Sequence, residues 1–271
     1  MIDVLLERID ALRNPTVVGL DPTLEMIPAY LREEKFAELG KTPEAVAEMF
    51  LAFNEGIMKA VQGIVPAVKP QVAFYERYGL AGLAAYAAHI GGTEIEGERF
   101  DLWHEDYVTV NPYLGVDGIK PFVDECNKQK KGIFVLVKTS NPSSSQLQDL
   151  IVDGKPIYLH MAALVEEWGQ GAMGEKGYSR VGAVIGATHR EQGAAARAAM
   201  PHTFFLVPGY GAQGGTAEDI RGFFDKDGRG CIVNSSRGII AAWKKSDKYG
   251  ERDFAEAARA AALAMQKDIM G

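Results

Sequence analysis

Residues 204–215 and 231–238, near the C-terminal end of the chain, combine glycine, polar and arginine residues as phosphate-binding loops do. The first segment, Phe-Phe-Leu-Val-Pro-Gly-Tyr-Gly-Ala-Gln-Gly-Gly, is an apolar run that stops at Pro208 and continues into a loop with four glycines. Glycines at a strand-to-helix turn allow backbone N–H groups to approach a ligand closely, and the helix N-terminus that follows favours an anion. Residues 216–219, Thr-Ala-Glu-Asp, predict that helix because they match a capping box.

The second segment, Cys-Ile-Val-Asn-Ser-Ser-Arg-Gly, is another apolar run that ends in polar residues, here with Arg237. Many (β/α)8 barrels bind a phosphate group with the loops after their last two strands. Taken alone, a glycine-rich turn is ordinary loop chemistry, and an arginine after a strand is an ordinary surface residue. The order, spacing and position of the two segments together predict that the ligand is a phosphorylated small molecule.

Strand-like and helix-like patterns alternate along the chain, and no linker, repeat or low-complexity tract divides it. The strand candidates are continuously apolar, which is typical of a parallel sheet covered on both faces. Their alternation with helices predicts an α/β fold of the TIM (β/α)8 barrel class, as a single domain over residues 1–271. The predicted strands are residues 16–20, 64–68, 107–110, 132–137, 181–185, 203–207 and 231–233, and the predicted helices are residues 43–63, 118–130, 157–168, 191–200, 217–224 and 253–270.

The predicted strands number seven, one fewer than a closed barrel of this class requires. The shortfall lies between Lys69 and Tyr107, where residues 78–90 predict one alanine-rich helix and residues 91–105 are polar, with no apolar strand run. One βα unit is therefore predicted to be missing. A seven-stranded remnant would leave unpaired strand edges in a sheet that is meant to close, and such edges are costly.

Composition restricts the class of protein and its partners. With 47% hydrophobic and 24% charged residues, the 271-residue chain is typical of soluble globular proteins, and its net charge of −7 argues against nucleic acid as a partner. No apolar run approaches the roughly 20 residues that span a bilayer, so no membrane partner is expected. Cys126 and Cys231 are expected to be reduced thiols of a cytoplasmic protein. The five histidines lack zinc-binding spacing, so no metal is expected.

Short motifs in order along nearly the whole chain resemble those of the orotidine 5′-phosphate decarboxylases, in their longer bacterial branch, called type 2. The resemblance implies a cytoplasmic homodimer that converts orotidine monophosphate to uridine monophosphate and CO2 in pyrimidine biosynthesis, without a cofactor. The motifs are Val-Gly-Leu-Asp-Pro at 18–22, Val-Lys-Pro-Gln-Val-Ala-Phe-Tyr-Glu at 68–76, Thr-Val-Asn-Pro-Tyr-Leu-Gly at 109–115, Val-Lys-Thr-Ser-Asn-Pro at 137–142, Gly-Ala-Val-Ile-Gly-Ala-Thr at 182–188, and the segments 208–215 and 234–238.

The resemblance also implies roles for individual residues. Asp21 and Lys69 correspond to the residues that hold the ribose hydroxyls, and Thr139 and Ser140 to those that read the edge of the pyrimidine. Asn111 falls near the site without a defined role. The residues expected at the phosphate are Pro208, Gly209, Gln213, Gly214, Ser236, Arg237 and Gly238, with Gln213 and Arg237 as the side chains of the clamp. A planar guanidinium matches the oxygens of a phosphate.

The family's catalytic signature, Asp-x-Lys-x-x-Asp at a strand end, does not occur in the 271 residues. In the family, the lysine of this run protonates the carbanion at C6, and one aspartate crosses a dimer interface. Residues 117–120 and 153–156 differ from the signature in spacing and context, so the catalytic residues stay unassigned. The missing run and the missing strand coincide, which predicts that about 30 residues are absent between Leu83 and His89.

Three functions stay open at this point. The first is a pyrimidine-nucleotide decarboxylase without its catalytic strand, and the second is a non-catalytic protein that binds a phosphorylated ligand. The third is another phosphate-binding barrel enzyme, such as a sugar-phosphate decarboxylase or an isomerase of amino-acid biosynthesis. Thr139, Ser140, Asn141 and Gln213 favour the pyrimidine ligand over the third function. The cost of open strand edges favours the first function over the second.

Overall fold

The computed structural model describes residues 1–90 and 105–271, with side chains at these positions except 89 and 90. These residues form two compact units, each assembled from two stretches of chain. Unit 1 comprises Met1–Thr16 and Asp106–Ser235, and unit 2 comprises Val17–Glu105 and Ser236–Gly271. No helix of the described part combines the length and the apolar character that a membrane crossing requires.

The elements follow the predicted alternation of strands and helices. The strands are β1 (Thr16–Leu20), β2 (Ala67–Pro70), β3 (Tyr107–Val110), β4 (Gly132–Lys138), β5 (Ile151–Val152), β6 (Lys155–Pro156), β7 (Val181–Ile185), β8 (Phe205–Val207) and β9 (Cys231–Ser235). The helices are α1 (Ile2–Leu12), α2 (Ala29–Leu39), α3 (Pro43–Val61), α4 (Ala73–Glu76), α5 (Gly79–Ile90), α6 (Val116–Gln129), α7 (Ser145–Gln148), α8 (Ile157–Gly169), α9 (Arg190–Ala199), α10 (Ala217–Ile220), α11 (Arg237–Ile240) and α12 (Phe254–Met270).

Unit 1 is built around parallel strands in the order β9, β8, β7, β4 and β3. Strands β7, β8 and β9 are buried at every position and β4 at all but one, because helices such as α8 pack on this sheet. Continuous burial of apolar residues is the pattern of a parallel sheet covered on both faces. The hairpin of β5 and β6 is a separate antiparallel pair. The carboxyl ends of the five parallel strands therefore lie at one edge of the sheet.

Unit 2 contains β1 and β2, which pair in parallel with Val18 opposite Val68. Its longest helix, α3, packs against α2, α5 and α12. Thr42 begins this helix, because its side chain accepts a hydrogen bond from the N–H of Ala45, and the ring of Phe53 stacks on Phe254 at 4.9 Å. These contacts hold α3 against the other helices of unit 2.

The shortfall of one strand is present in the structure. Within their units, β2 pairs with β1 on one side and β3 pairs with β4 on one side, and the described part of the chain has no strand between β2 and β3. Helix α5 runs without interruption through residues 83–89, where the motif-bearing unit is missing. Seven parallel strands, one fewer than a complete barrel, are thus confirmed among the described residues. The polar segment predicted to lack a strand, with His104, falls outside them except for Glu105.

Other predicted elements differ in detail. Helices α1 and α2 were not predicted, and β2 begins at Ala67 because the N–H groups of Ile64 and Val65 still bond to the carbonyl of Val61. The helix predicted over residues 217–224 is α-helical only to Ile220, and a 3-10 turn follows it. The two cysteines are free and buried, as expected for reduced thiols.

Arg197, on α9, connects the elements at the amino ends of β8 and β9. Its guanidinium donates hydrogen bonds to the carbonyls of Phe223 (2.9 Å), Met200 (2.9 Å), Thr203 (2.8 Å) and Gly230 (2.7 Å). Burial lowers the pKa of Arg197, but these four carbonyls satisfy the charged group. The start of both strands therefore depends on one side chain.

We expect Arg197→Lys to lower the free energy of unfolding by about 2–4 kcal/mol, because an ammonium cannot reach four separate carbonyls. Arg8→Lys is the matched control, since Arg8 is exposed and makes no polar contact with the described residues. Denaturant unfolding of the two variants and the parent chain measures the difference. Equal stability of the two variants would contradict the role of Arg197.

Candidate functional site

The residues predicted to form the site lie at the carboxyl ends of parallel strands or in the loops that follow. The two units carry different parts of the set. Unit 2 carries Asp21, Lys69, Ser236, Arg237 and Gly238, and unit 1 carries Asn111, Thr139, Ser140, Pro208, Gly209, Gln213 and Gly214.

Asp21 follows β1, and its carboxylate is held by a hydrogen bond within unit 2. Its Oδ2 accepts a hydrogen bond of 2.6 Å from the hydroxyl of Ser236, whereas its buried Oδ1 has no partner among the described residues. Burial raises the pKa of Asp21, against the Ser236 hydrogen bond and the charge of Lys69. Burial likewise lowers the pKa of Lys69, against the charge of Asp21. A half-buried carboxylate with an unused oxygen can accept a hydrogen bond from a ligand hydroxyl.

Tyr75 supports the strand that carries Asp21. Its buried hydroxyl donates to the carbonyl of Leu20 (2.9 Å) and accepts from the amide of Asn54 (2.8 Å). Its ring packs edge-on against Phe50 and Tyr86. Because Leu20 directly precedes Asp21, this contact fixes the backbone from which the Asp21 side chain extends. No sequence pattern singled out Tyr75, whose partners lie far from it along the chain.

Arg237 and Gly238 follow β9 at the start of α11, and both are exposed. The Arg237 guanidinium makes no hydrogen bond or ion pair with the described residues, unlike exposed Arg190, which pairs with Glu218 at 2.8 Å. An arginine without an intramolecular partner keeps its planar donors available for an anion.

The glycine-rich loop after β8 is a compact turn. The N–H of Gly215 donates to the carbonyl of Gly209 (3.1 Å), and the N–H of Gly214 donates to that of Gly211 (2.8 Å). The exposed residues between them, Ala212 and Gln213, have backbone N–H groups that donate to no group of the described residues. Such free N–H groups in a turn are donors for an anion. The predicted capping box after this loop is confirmed at Thr216 and Asp219.

Ser140, Gly209 and Gln213 come together in unit 1. A side-chain carbon added at Gly209 would lie 3.0 Å from Cβ of Ser140 and 3.3 Å from Oε1 of Gln213, and the φ of Gly209 is 97°. One added at Gly186 would lie 2.8 Å from the backbone of Ser140. The two glycines therefore leave the space in which Ser140 sits. Neither its N–H nor its hydroxyl has a partner among the described residues.

Thr139 uses its hydroxyl and N–H within the protein, and Asn111 uses its side-chain oxygen. The Thr139 hydroxyl donates to Asn141 (2.6 Å) and accepts from the amide of Gln148 (2.8 Å), and the Thr139 N–H donates to Oε1 of Gln148 (3.0 Å). The side chain of Asn111 accepts from the N–H of Tyr113 (3.0 Å) in a local turn. Thr139 and Ser140 are the two residues predicted to bind the polar edge of a pyrimidine, and of these two Ser140 has free polar groups.

Two further ionisable side chains lie next to this strand end. Lys138 is fully buried and forms an ion pair of 2.7 Å with Asp149. His189 contacts the carbonyl of Thr139 through Nε2 at 3.0 Å, and because a carbonyl can only accept, Nε2 carries the proton. Burial and the charge of Lys138 lower the pKa of His189, so its ring is neutral near pH 7. Sequence patterns placed Lys138 and His189 near a strand end but did not indicate these partners.

Parallel strands that carry polar groups at their carboxyl ends are characteristic of α/β proteins of the TIM-barrel class. A family model described as the orotidine 5′-phosphate decarboxylase / HUMPS family matches residues 53–251. The chain belongs to this family. The resemblance found in the sequence motifs is thereby confirmed.

The chain is similar to relatives and solved structures over nearly its full length. It is 42% identical to orotidine 5′-phosphate decarboxylase of Rhodopirellula baltica, over 94% of both chains. It is 37% identical to the enzyme of that name from Caldicellulosiruptor saccharolyticus, over 98% of this chain and 97% of the relative. The structure of Leishmania donovani OMP decarboxylase is 28% identical, with a TM-score of 0.67, and covers 98% of both chains. Orotidine 5′-phosphate decarboxylases are carboxy-lyases.

The relative is also longer than this chain over the aligned region. The alignment with the Caldicellulosiruptor saccharolyticus protein extends over 298 positions, 27 more than the 271 residues of this chain. The relative therefore has at least 27 residues without a counterpart here, close to the size of one βα unit.

We expect Asp21→Asn to raise the free energy of unfolding at pH 7, because it removes a charge whose burial costs the folded state stability. Since the pKa of Asp21 is raised from 3.8, this cost is absent below that pH and appears as the pH rises through the raised value. The asparagine keeps an oxygen that accepts from Ser236.

Denaturant unfolding at pH 7 and below pH 3.8 tests this dependence, with Asp117→Asn at an exposed position as the control. The advantage of Asp21→Asn should appear only at pH 7. An equal advantage at both pH values would show that the ionised carboxylate is not its source.

Proposed function

We propose that this protein is an orotidine 5′-phosphate decarboxylase whose sequence here retains the groups that bind the nucleotide and lacks the unit that carries the family's catalytic lysine. Orotidine monophosphate is the substrate, and uridine monophosphate and CO2 are the products. One pattern carries the proposal: three polar groups predicted to touch the ligand, namely Oδ1 of Asp21, the hydroxyl of Ser140 and the guanidinium of Arg237, have no partner among the described residues.

The unpartnered groups are suited to the parts of one nucleotide. The free oxygen of Asp21 and the ammonium of Lys69 suit the ribose hydroxyls. The hydroxyl and N–H of Ser140 suit the polar edge of a pyrimidine. Gln213 and the unpaired Arg237 suit the phosphate, and the same loops add Pro208, Gly209, Gly214, Gly238 and Ser236, whose hydroxyl donates to Asp21. In contrast, the hydroxyl and N–H of Thr139 and the side-chain oxygen of Asn111 are used internally, so we assign both residues to positioning.

Of the two lysines at the strand ends, Lys69 and Lys138, Lys69 is better suited to donate a proton when the family's catalytic run is absent. Burial lowers the pKa of Lys69, which makes its ammonium a stronger acid. Lys138 is instead buried in its ion pair with Asp149 and does not reach an open surface. Any residual turnover is therefore assigned to Lys69.

We further propose that the chain works as a single domain and as a homodimer in the cytoplasm, without metal, cofactor, nucleic acid or membrane. The two free, buried cysteines and the net charge of −7 support the location and the absence of nucleic acid. The dimer is inferred from the resemblance to the family.

A second function is a non-catalytic barrel that binds a phosphorylated nucleotide. The observation in its favour is the absence of the Asp-x-Lys-x-x-Asp run from all 271 residues. An assay of turnover and binding together distinguishes the two functions.

The deciding experiment compares the 271-residue chain with a chimera. The chimera carries, between Leu83 and His89, the residues of the Rhodopirellula baltica relative that contain the catalytic run. We expect both proteins to bind uridine monophosphate, and the chimera to consume orotidine monophosphate at least about a hundredfold faster.

Absorbance loss of orotidine monophosphate measures turnover, and calorimetry with uridine monophosphate measures binding. Equal turnover by both proteins would assign catalysis to residues already present, with Lys69→Met as the next variant. Binding without turnover in either protein would favour the non-catalytic function. Absence of binding in both would overturn the assignment of the nucleotide.

We expect Arg237→Ala to weaken binding of uridine monophosphate by about 1.5–3 kcal/mol, because the phosphate loses a charged hydrogen bond. Arg221→Ala is the control, since Arg221 is equally exposed and already pairs with Glu218. Calorimetric titration of both variants measures the loss. A change below a few tenths of a kcal/mol would remove Arg237 from the phosphate clamp.

A further inference from the structure

We propose that Lys138 and Gln148 are positioning residues for recognition of the base: they hold the loop of residues 139–149 closed, so that Ser140 presents its free polar groups to the pyrimidine. This inference rests on the proposed nucleotide ligand. It assigns the selectivity for the base to a buried ion pair and a side-chain amide that do not touch the ligand.

The first step is the burial of Lys138. Its side chain is 0% exposed at the end of β4, and its ammonium lies 2.7 Å from Oδ1 of Asp149 and 3.4 Å from the hydroxyl of Ser144. The ring of Tyr158 covers it at 6.0 Å. A buried ammonium is unfavourable unless it is paired, so the folded chain is constrained to bring Asp149 back to the strand end.

The second step is the effect on the loop. When Asp149 returns to β4, Gln148 reaches Thr139 and binds it twice, through its N–H (3.0 Å) and its hydroxyl (2.8 Å). Gln192 of α9 also donates to Asp149 at 3.3 Å. The loop is therefore held at its two ends by groups that come from β4, α7 and α9.

The third step is the division of roles between two adjacent residues. Thr139 gives its N–H and hydroxyl to Gln148 and Asn141, which fixes its backbone. The next residue, Ser140, keeps both its N–H and hydroxyl free and lies against Gly186 and Gly209. Because recognition groups must be held within roughly 0.5 Å of their productive positions, a loose Thr139 would misplace Ser140.

The strand end is fixed independently on its other side. The N–H of Gly186 donates to the carbonyl of Lys138 (2.7 Å), and His189 donates to the carbonyl of Thr139 (3.0 Å). Both contacts use backbone carbonyls and persist when the Lys138 side chain or Gln148 is replaced. Replacement is therefore expected to disturb the loop and Ser140, and to leave β4 and β7 in register.

The consequence is a loss of affinity that depends on the base. Uridine monophosphate carries a pyrimidine and should bind more weakly when the loop is loosened. Ribose 5-phosphate has no base and should bind unchanged, since its expected partners do not belong to this loop. A general loss of structure would weaken both ligands together.

The test measures the affinity of both ligands for the full chain, for Lys138→Met and for Gln148→Ala. Gln146→Ala is the matched control, because Gln146 lies on the same short helix and has no partner among the described residues. We expect each positioning variant to bind uridine monophosphate about tenfold more weakly and ribose 5-phosphate equally well. The control should bind both ligands as the parent chain does.

Gln148→Ala keeps the Lys138–Asp149 pair, so it decides the question if Lys138→Met fails to fold. Equal losses for both ligands, or no loss for either, would overturn the positioning role. A parent chain that binds ribose 5-phosphate but not uridine monophosphate would overturn the proposed nucleotide ligand, and this inference with it.

Discussion

Parallel strand pairing is the constraint on which the described site depends. Because each parallel pair needs a crossover, the carboxyl ends of neighbouring strands lie at one edge of their sheet. In unit 1, this brings the ends of β4, β7 and β8 together and lets Ser140 lie against Gly186 and Gly209. In unit 2, the pairing of β1 with β2 puts Asp21 and Lys69 within electrostatic reach of each other. Glycine at the crowded positions then leaves room for polar side chains.

Polar groups at these strand ends divide into those that hold the structure and those that remain available. Tyr75, Thr139 and Lys138 have their hydrogen bonds satisfied inside the protein, and they fix the backbone on which Asp21 and Ser140 stand. The available groups carry a cost in the free protein, because burial raises the pKa of Asp21 and lowers the pKa of Lys69. Under the proposed function, the hydroxyl groups of the ligand offset that cost, so stability is lost where binding is gained.

Much of the fold could be predicted because the buried strands are continuously apolar in sequence. β1 and β7, which are buried at every position, have the predicted bounds, since a continuous apolar run between polar residues leaves few alternatives. β3 also has the predicted bounds, although two of its four residues are exposed. Helix α1 was missed although its buried residues, such as Ile2, Leu6 and Ile9, follow helical spacing, and α2 was missed because Leu31 is its one buried residue. In the site, residue types at strand ends indicated Asp21 and Ser140. The two hydrogen bonds between Gln148 and Thr139 could not be predicted, since they depend on the buried ion pair of Lys138 and Asp149, which closes the loop.

The missing unit separates binding from catalysis in physical terms. Under the proposed function, the groups assigned to binding serve the parts of a nucleotide that do not change during decarboxylation. Such contacts lower the energy of substrate and transition state alike, so they contribute affinity and not rate. A cation placed where negative charge develops acts on the transition state alone, and in this family that cation belongs to the absent run. Helix α5 passes through the position of the gap as one helix, which keeps α3 and α5 packed together. Under the proposed function, binding of the nucleotide therefore does not require the strand that supplies the chemistry.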